Sequence, residues 1–399
     1  MGEVIRPHII IGAALAAALA QLIGRPALAA DDPVPVTDTS ATEQLSSMTL
    51  QQLSNVNVTS VSKTPQPVSQ APAAIYVITH DEIVRSGATN LFEALRLAPN
   101  LTVTQLSATD YVVTARGLGG NPGDQNFSNK LLMLIDGRSV YTPLYSGIYS
   151  DAQDVLLEDV DRIEVISGPG ATLWGANAMN GVINIITRSA NDTRGTVVDV
   201  GAGNKEQNVD ARYGAQLNDE LAYRLYGMSF HDGSEQHPDG ASAQDGWDKF
   251  QGGFRVDYQH ARDAATVEGD IYRALEHQFD SQDGVVSGAD ITTHWERSFS
   301  DRSSLQVIAY VDQTERFSPA PKSGFVLHTY DLEVQDSLSA GAAQEIVWGA
   351  GERVDDYGIT STATLLFVPP ARNLTLTDVF AQDTISVNRV VKVIAGLKM

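Results

Sequence analysis

The stretch Asp161-Arg162-Ile163-Glu164-Val165-Ile166-Ser167-Gly168-Pro169-Gly170-Ala171-Thr172-Leu173-Trp174-Gly175-Ala176-Asn177-Ala178-Met179-Asn180-Gly181-Val182-Ile183-Asn184-Ile185-Ile186-Thr187 decides the reading of this chain. Two short apolar runs, Ile163 to Ile166 and Val182 to Thr187, have the length and β-branched content of buried strands. Gly168 to Gly175 joins them as a Gly-rich turn. Such a turn could cradle a phosphate, but no G-x-x-x-x-G-K-[ST] is present, and Trp174 stands where the backbone must approach phosphate closely. The turn is structural.

Working upstream, Leu131 to Ile135 is a further strand and Ala74-Ile75-Tyr76-Val77-Ile78 another. Thr79 and Glu82 form a capping box, in which Thr accepts from the backbone while Glu reaches back. The helix they start stops at Gly87, a good residue just past a helix end. Asn90 or Thr89 starts the next, Leu91 to Leu97, closed by Pro99. Ala71 to Arg188 is thus a small α+β domain. Asp31 to about Ser54 is rich in Thr, Ser, Gln and Pro and is expected to be flexible. The chain opens with Arg6, an apolar run from Ile9 to Ile23 and small residues at Ala27-Leu28-Ala29, the pattern of a cleaved secretion signal. That run is short for a helix spanning the bilayer.

Downstream of Asn191 the helical signal gives way to alternation. Phe250, Phe254, Val256 and Tyr258 share one face, opposite Gln251, Arg255, Asp257 and Gln259. Val326, Tyr330, Leu332 and Val334 oppose Thr329, Asp331, Glu333 and Gln335, with His328 the exception. Val267 and Ile271 oppose Glu268 and Asp270 in the same way. Period-2 segments of this kind, separated by turns, mark antiparallel transmembrane β-barrel strands with an apolar outside and a polar lumen; a soluble sandwich would also alternate, so the loops decide more than any one strand. About eleven strands are expected. Their connections alternate in length, short at Leu217 to Glu220, Ala261 to Asp263, Ser300 to Arg302, Ser339 to Gly341 and Asn388-Arg389, and long at Asp232 to Asp248, Leu275 to Ser287, Phe317 to Gly324 and Asp355 to Arg372. Only the first outer connection, Gly203 to Glu206, is expected to be short.

Composition narrows function by exclusion. Lys and Arg number 27 against 49 Asp and Glu, a formal charge of −22, which opposes binding to duplex nucleic acid. The absence of cysteine rules out disulfides, thiolate metal sites and Cys nucleophiles. The eight histidines form no H-E-x-x-H or i, i+4 pair, and no Ser lies in a G-x-S-x-G setting. No catalytic residue, metal site or cofactor is expected, and the chain is not read as an enzyme.

The opening stretch resembles the end of the plug domain of TonB-dependent outer-membrane receptors, whose pattern runs approximately RIEV-x-RGP-x-x-x-x-YG-x-x-A-x-x-G-V-I-N-I-x-T. Arg162, Glu164, Gly168, Pro169, Gly175 and Asn184 fall on it. Arg116-Gly117 and Leu134-Ile135-Asp136-Gly137 match two further plug landmarks in the right order, so the likeness runs from about Val56 to Arg188. Ser167 stands where the pattern has Arg, and Trp174 where it has Tyr. Val379-Phe380-Ala381-Gln382-Asp383 resembles a mid-barrel segment.

The resemblance implies an active importer of the cell outer membrane. A plug sits in a barrel of about 22 strands, surrounded by outer-membrane lipid, binds a scarce ligand from outside, and is remodelled from the periplasm by the TonB energy-transducing complex. Within Asn55 to Val61, the residues Val56, Asn57, Val58, Thr59, Ser60 and Val61 resemble the TonB box. An extended stretch can add as a strand to an exposed sheet edge through main-chain hydrogen bonds; an ordinary linker strand is the other reading. Pro65 and Pro67 would keep it out of the plug's own sheet. Outward plug loops become the ligand floor by the same resemblance, with Asn121, Asp124 and Asn126 in one and Tyr141, Tyr145 and Tyr149 in the next. The alternative is that these tyrosines only pack plug against wall. The expected ligand is a ferric siderophore or similar metal chelate, with cobalamin, other metal complexes and oligosaccharides left open.

The expected organisation is a signal peptide at residues 1–29, an N-terminal segment with the box-like stretch at 30–70, a plug at 71–190 and a partial outer-membrane barrel at 191–399. Eleven is an odd strand number and near half the family's, and the sequence stops in mid-strand at Ile394 to Met399, so an incomplete barrel is expected. Between signal and box there is no room for a transducer-type signalling domain. Two other functions compete: a passive porin, which needs no inserted plug, and a fragment whose plug only binds ligand.

Overall fold

A computed structural model describes residues 56–399 apart from 62, 65, 72, 117–129, 176, 280, 342, 363–365 and 389–390. The expected signal peptide, residues 30–55 of the N-terminal segment, and Gly117, Asn121, Asp124 and Asn126 lie outside the described residues.

A two-stranded hairpin, β1 (Asn57–Val58) with β2 (Gln66–Pro67), comes first. It precedes β3 (Ala74–Thr79), helix α1 (His80–Ser86) and the short helix α2 (Leu91–Ala94). The capping box of α1 is formed as its sequence dictates: Glu82 N–H donates to Thr79 Oγ1 while the Thr79 N–H donates to the Glu82 carboxylate at 2.8 Å. Gly87 then ends the helix with φ 72°, a left-handed conformation that costs glycine little. The second helix is capped by Asn90, which accepts from Glu93 N–H at 3.0 Å, and its last turn tightens to 3₁₀ at Leu95–Leu97 before Pro99.

There follow β4 (Leu101–Gln105) paired with β5 (Tyr111–Ala115), then β6 (Leu131–Ile135), β7 (Arg138–Ser139), β8 (Val160–Ser167), α3 (Ala171–Trp174) and β9 (Gly181–Thr187). One five-stranded sheet results, in the order β3-β8-β9-β6-β7, with β6 and β9 parallel. Asp136 and Gly137 both take positive φ between β6 and β7, the backbone an Asp-Gly hairpin turn requires. Gly181 cannot be larger, since a Cβ there would meet the Ile166 carbonyl at 2.3 Å. Both helices pack on this sheet through Ile83, Leu91, Phe92 and Leu95, against Met133, Ile163, Ile183 and Ile185. Each such side chain taken fully from water contributes about 1.5–3 kcal/mol.

The rest of the chain is one sheet of 11 strands in sequence order, every neighbour antiparallel. Its strands are β10 (Gly195–Ala202), β11 (Glu206–Asn218), β12 (Leu221–Asp232), β13 (Trp247–His260), β14 (Asp263–Glu276) and β15 (Gly284–Ser300). They continue as β16 (Ser303–Pro319), β17 (Lys322–Ser339), β18 (Gln344–Thr360), β19 (Ala371–Ser386) and β20 (Lys392–Lys398). The alternation read from sequence sorts the two faces. Ile271, Tyr330, Leu332, Val334 and Trp348 are exposed on the outside, while on the opposite face Gln251 and Glu333 bond to Asp154 and Lys63, and Glu268 and Asp331 line the space beside the plug.

The loop pattern differs at one place. Phe317 to Gly324 is not a long connection: β16 and β17 run on and turn at 320–321. β17 has 18 residues, and its end near the 320–321 turn carries Phe325 against Tyr149 of the plug.

The sheet is open. Among the described residues β10 and β20 each pair with a single neighbour. An odd number of antiparallel strands leaves both edges running the same way, so closing this sheet on itself, or on a second copy held in the same orientation, would need a parallel seam. Open edges in lipid leave backbone groups unpaired at several kcal/mol each. Residues 56–399 produced alone and transferred to detergent are therefore expected to give aggregates and no monomer whose gel mobility shifts on heating. A dispersed, heat-modifiable monomer would show that the edges find partners.

Candidate functional site

The box-like stretch is docked by the very motif residues that mark the plug. Val58 and Ser60 are fully buried, and so is Glu164 on β8. Isolated, such a carboxylate would cost several kcal/mol to remove from water. Here its oxygens accept from Ser60 N–H at 2.9 Å, Thr59 N–H at 3.1 Å and the Ser60 hydroxyl, while Arg162 Nε donates at 2.9 Å. Asn184 on β9 donates to Ser60 Oγ at 3.0 Å. Val56 accepts from Val68 N–H, closing the β1–β2 hairpin, and Val61 packs beside Leu132 and Leu134. Asn57 alone of these residues is exposed, opposite Pro67 in the register. The stretch stays out of the five-stranded sheet, and its partner strand contains the proline.

Two residues absent from the sequence-derived site complete the docking. Trp174 Nε1–H donates to the Ser60 carbonyl at 2.6 Å. Lys63 Nζ pairs with Glu333 on β17 at 2.6 Å and lies 4.7 Å from the ring centres of both Trp174 and Phe380. Burial pulls the Lys63 ammonium below the usual lysine range, and Glu333 opposes that pull. Behind these groups, a cavity of about 770 Å³ separates the plug sheet from the wall, with Thr59, Lys63, Asn184 and Glu333 on its lining.

Plug and wall meet through charges the sequence pattern placed in the lumen. Arg138 reaches Asp312 at 2.8 Å and Asp290 at 3.3 Å, and Asp159 lies between Arg212 and Arg224 at 3.1 and 3.3 Å. Burial raises the Asp159 carboxyl above its ordinary value, with Arg224 and Arg212 holding it back. Asp136 accepts from the Thr187 N–H and hydroxyl at 2.9 and 2.7 Å, and its own carbonyl accepts from His294 on β15 at 2.6 Å. Gly168 and Gly175 take positive φ in the turn around α3, and Pro169 is exposed there. Arg116 is also left-handed, with no side-chain partner among the described residues.

At the opposite end, near the 320–321 turn, the structure brings together part of the expected ligand floor. Tyr145 stacks on Tyr149 at 4.9 Å and Tyr149 on Phe325 at 5.4 Å. The guanidinium of Arg316 lies 5.0 Å over Tyr149 and is held by Asp151 and Glu276. Such a stack with a cation over it offers flat, rigid contact area. Tyr141 is not part of this stack but shares a narrow cleft with Tyr149, Arg138 and Asp312. Phe325, Arg316 and Glu276 could not be assigned from sequence, because only strand register sets which outer residues meet the plug.

Residues 67–182 match the family described as the TonB-dependent Receptor Plug Domain. The chain is 32% identical over 156 residues to the vitamin B12 transporter BtuB of Vibrio vulnificus, covering 39% of this chain and 24% of that protein. It is 33% identical over 177 residues to the iron-regulated outer membrane virulence protein of Vibrio cholerae, covering 41% and 26% respectively. Among solved structures, the ferric enterobactin receptor PfeA of Pseudomonas aeruginosa superposes with a TM-score of 0.66 at 17% identity, over 86% of this chain and 58% of that one. The matches span about a quarter of the curated relatives. The resemblance to TonB-dependent receptors is borne out, as is the expected plug followed by an unclosed antiparallel sheet. These relatives are transporters and receptors rather than enzymes.

The plug–wall pairs yield a test of how firmly the plug is seated. Arg138→Gln leaves Asp290 and Asp312 buried without their cation, a loss of roughly 3–5 kcal/mol. In outer-membrane vesicles from cells carrying the change at the native locus, protease release of the plug is expected at lower guanidinium concentration. Adding Asp290→Asn is expected to recover part of the loss; an unmoved midpoint for Arg138→Gln would contradict the assignment.

Proposed function

Starting from a plug of the TonB-dependent receptor type, we propose that this protein is an outer-membrane receptor for active uptake of a scarce ligand, a ferric siderophore or similar metal chelate. In this reading residues 1–29 direct export and are cleaved, residues 71–190 are the plug, and the strands after 191 face lipid with their apolar side. The periplasmic partner is TonB, which engages Val56 to Val61.

The observation that carries the reading is the manner in which that stretch is held. Its main chain is bound by side chains of the plug motif, Glu164 and Trp174, while its only strand partner among the described residues is the two-residue β2. A segment held this way can be exchanged onto another protein's sheet edge without dismantling the five-stranded sheet. The relatives give the ligand class its support, since one is named a vitamin B12 transporter and a solved one a ferric enterobactin receptor. Tyr145 and Tyr149 form the outward floor, with Arg316 above them; Asn121, Asp124 and Asn126 complete it on this proposal. A passive porin is disfavoured by the buried ion pairs that seat the plug in the wall.

Asn57→Pro separates binding from energised transport. Asn57 is exposed and sits opposite Pro67, between hydrogen-bonded pairs, so the change removes no bond of the docked state. It does remove a donor that an added strand would need. With the substitution at the native locus, ligand binding to cells is expected to persist while energised uptake falls at least tenfold. Uptake equal to the parent would assign the TonB-binding stretch elsewhere.

A further inference from the structure

Trp174 lies where three parts of the molecule meet. Its indole N–H reaches the Ser60 carbonyl at 2.6 Å, and its ring face lies 4.7 Å from the Lys63 ammonium. The preceding residue, Leu173, packs with Val347 and Phe380 of the wall. The glycines of the turn seat the ring. A Cβ on Gly170 would come within 3.0 Å of Trp174 Cδ1 and 2.8 Å of Val182, and Gly175 turns the chain with φ +88°. The Gly-rich turn, which no phosphate chemistry explains, thus has a physical purpose in holding this indole.

We propose that Trp174 is the positioning residue that keeps the box-like stretch docked at rest, through its N–H to Ser60 and its ring to Lys63. The inference rests on the reading of Val56 to Val61 as the TonB-binding stretch. Ser60 is fully buried, so its carbonyl needs a donor within the protein, and the indole supplies it. Lys63 is held on the other side by Glu333 and Phe380 of the wall. Because Leu173 fixes the same turn to the wall, movement of the turn away from Val347 and Phe380 withdraws the N–H from Ser60 and uncovers Lys63 together. One residue therefore ties the docking of the stretch to the seating of the plug.

Phenylalanine at this position keeps the ring and removes the N–H. Tyrosine, which the family pattern carries there, keeps the bulk but puts its donor on the ring axis, away from the indole nitrogen. The natural chain has no cysteine, so Val58→Cys places a single thiol at a fully buried position. Its reaction with a charged maleimide, in outer-membrane vesicles open to the reagent, reads how often the stretch leaves the plug. Losing one buried hydrogen bond and stranding its acceptor is expected to speed labelling about 5–10-fold in Trp174→Phe. Trp174→Tyr is expected to do the same, and serves alone if Trp174→Phe fails to reach the membrane. Labelling at the parent rate in both would overturn the inference. Cross-linking of the Val58→Cys thiol to TonB, in the Trp174 background, tests the underlying reading separately. Cross-linking without any effect of the Trp174 variants leaves that reading standing and removes only the role of Trp174. Absence of cross-linking overturns both.

Discussion

A carboxylate with no exposed surface governs the arrangement of this protein. Glu164 lies inside the plug, where an ionised group is tolerated only if its lone pairs are met. Arg162 meets one demand from the same strand, and the others are met from more than a hundred residues away by the Thr59 and Ser60 amides and the Ser60 hydroxyl. The carboxylate therefore selects the conformation of the stretch around Val58. Asn184 and Trp174 add to the same hold, and Lys63 extends it to the wall. Charged hydrogen bonds of this kind contribute about 1.5–3 kcal/mol each, enough to fix a short segment without a sheet of its own.

The wall obeys a related constraint. Each strand carries apolar side chains on its outer face, which the period of two allows only if the opposite face is free to be polar. Those polar faces meet the plug as ion pairs, Arg138 with Asp290 and Asp312, Asp159 with Arg212 and Arg224. Such pairs hold position through geometry more than through net stability, since desolvation offsets most of their attraction.

What could be read from sequence was local. The Thr79–Glu82 box, the Gly87 stop and the Asp136-Gly137 turn each depend on neighbours a few residues apart, and all three are formed. The alternation along β13, β14 and β17 separated the outward face of the sheet from the face turned to the plug for the same reason. Contacts across the chain were not legible. Nothing near Lys63 announces Glu333, and nothing near Tyr149 announces Phe325 or Arg316, because these pairings follow from strand register and plug placement. The long connection expected at Phe317 to Gly324 is instead a tight turn at Ala320-Pro321, because Pro319 still pairs with Lys322 and the two strands run on to it. In the sequence Trp174 is only a departure from the family pattern, and its contact with Ser60 gives the departure a meaning.

The central claim is that the Thr59 and Ser60 amides are held by Glu164 in the resting protein. Hydrogen exchange of those two amides, measured in outer-membrane vesicles without ligand or TonB, tests it most directly. Exchange as slow as that of Ile183 in the plug core, and accelerated in Glu164→Gln, is the predicted result. Exchange at the rate of an exposed loop, unchanged by the substitution, would contradict it.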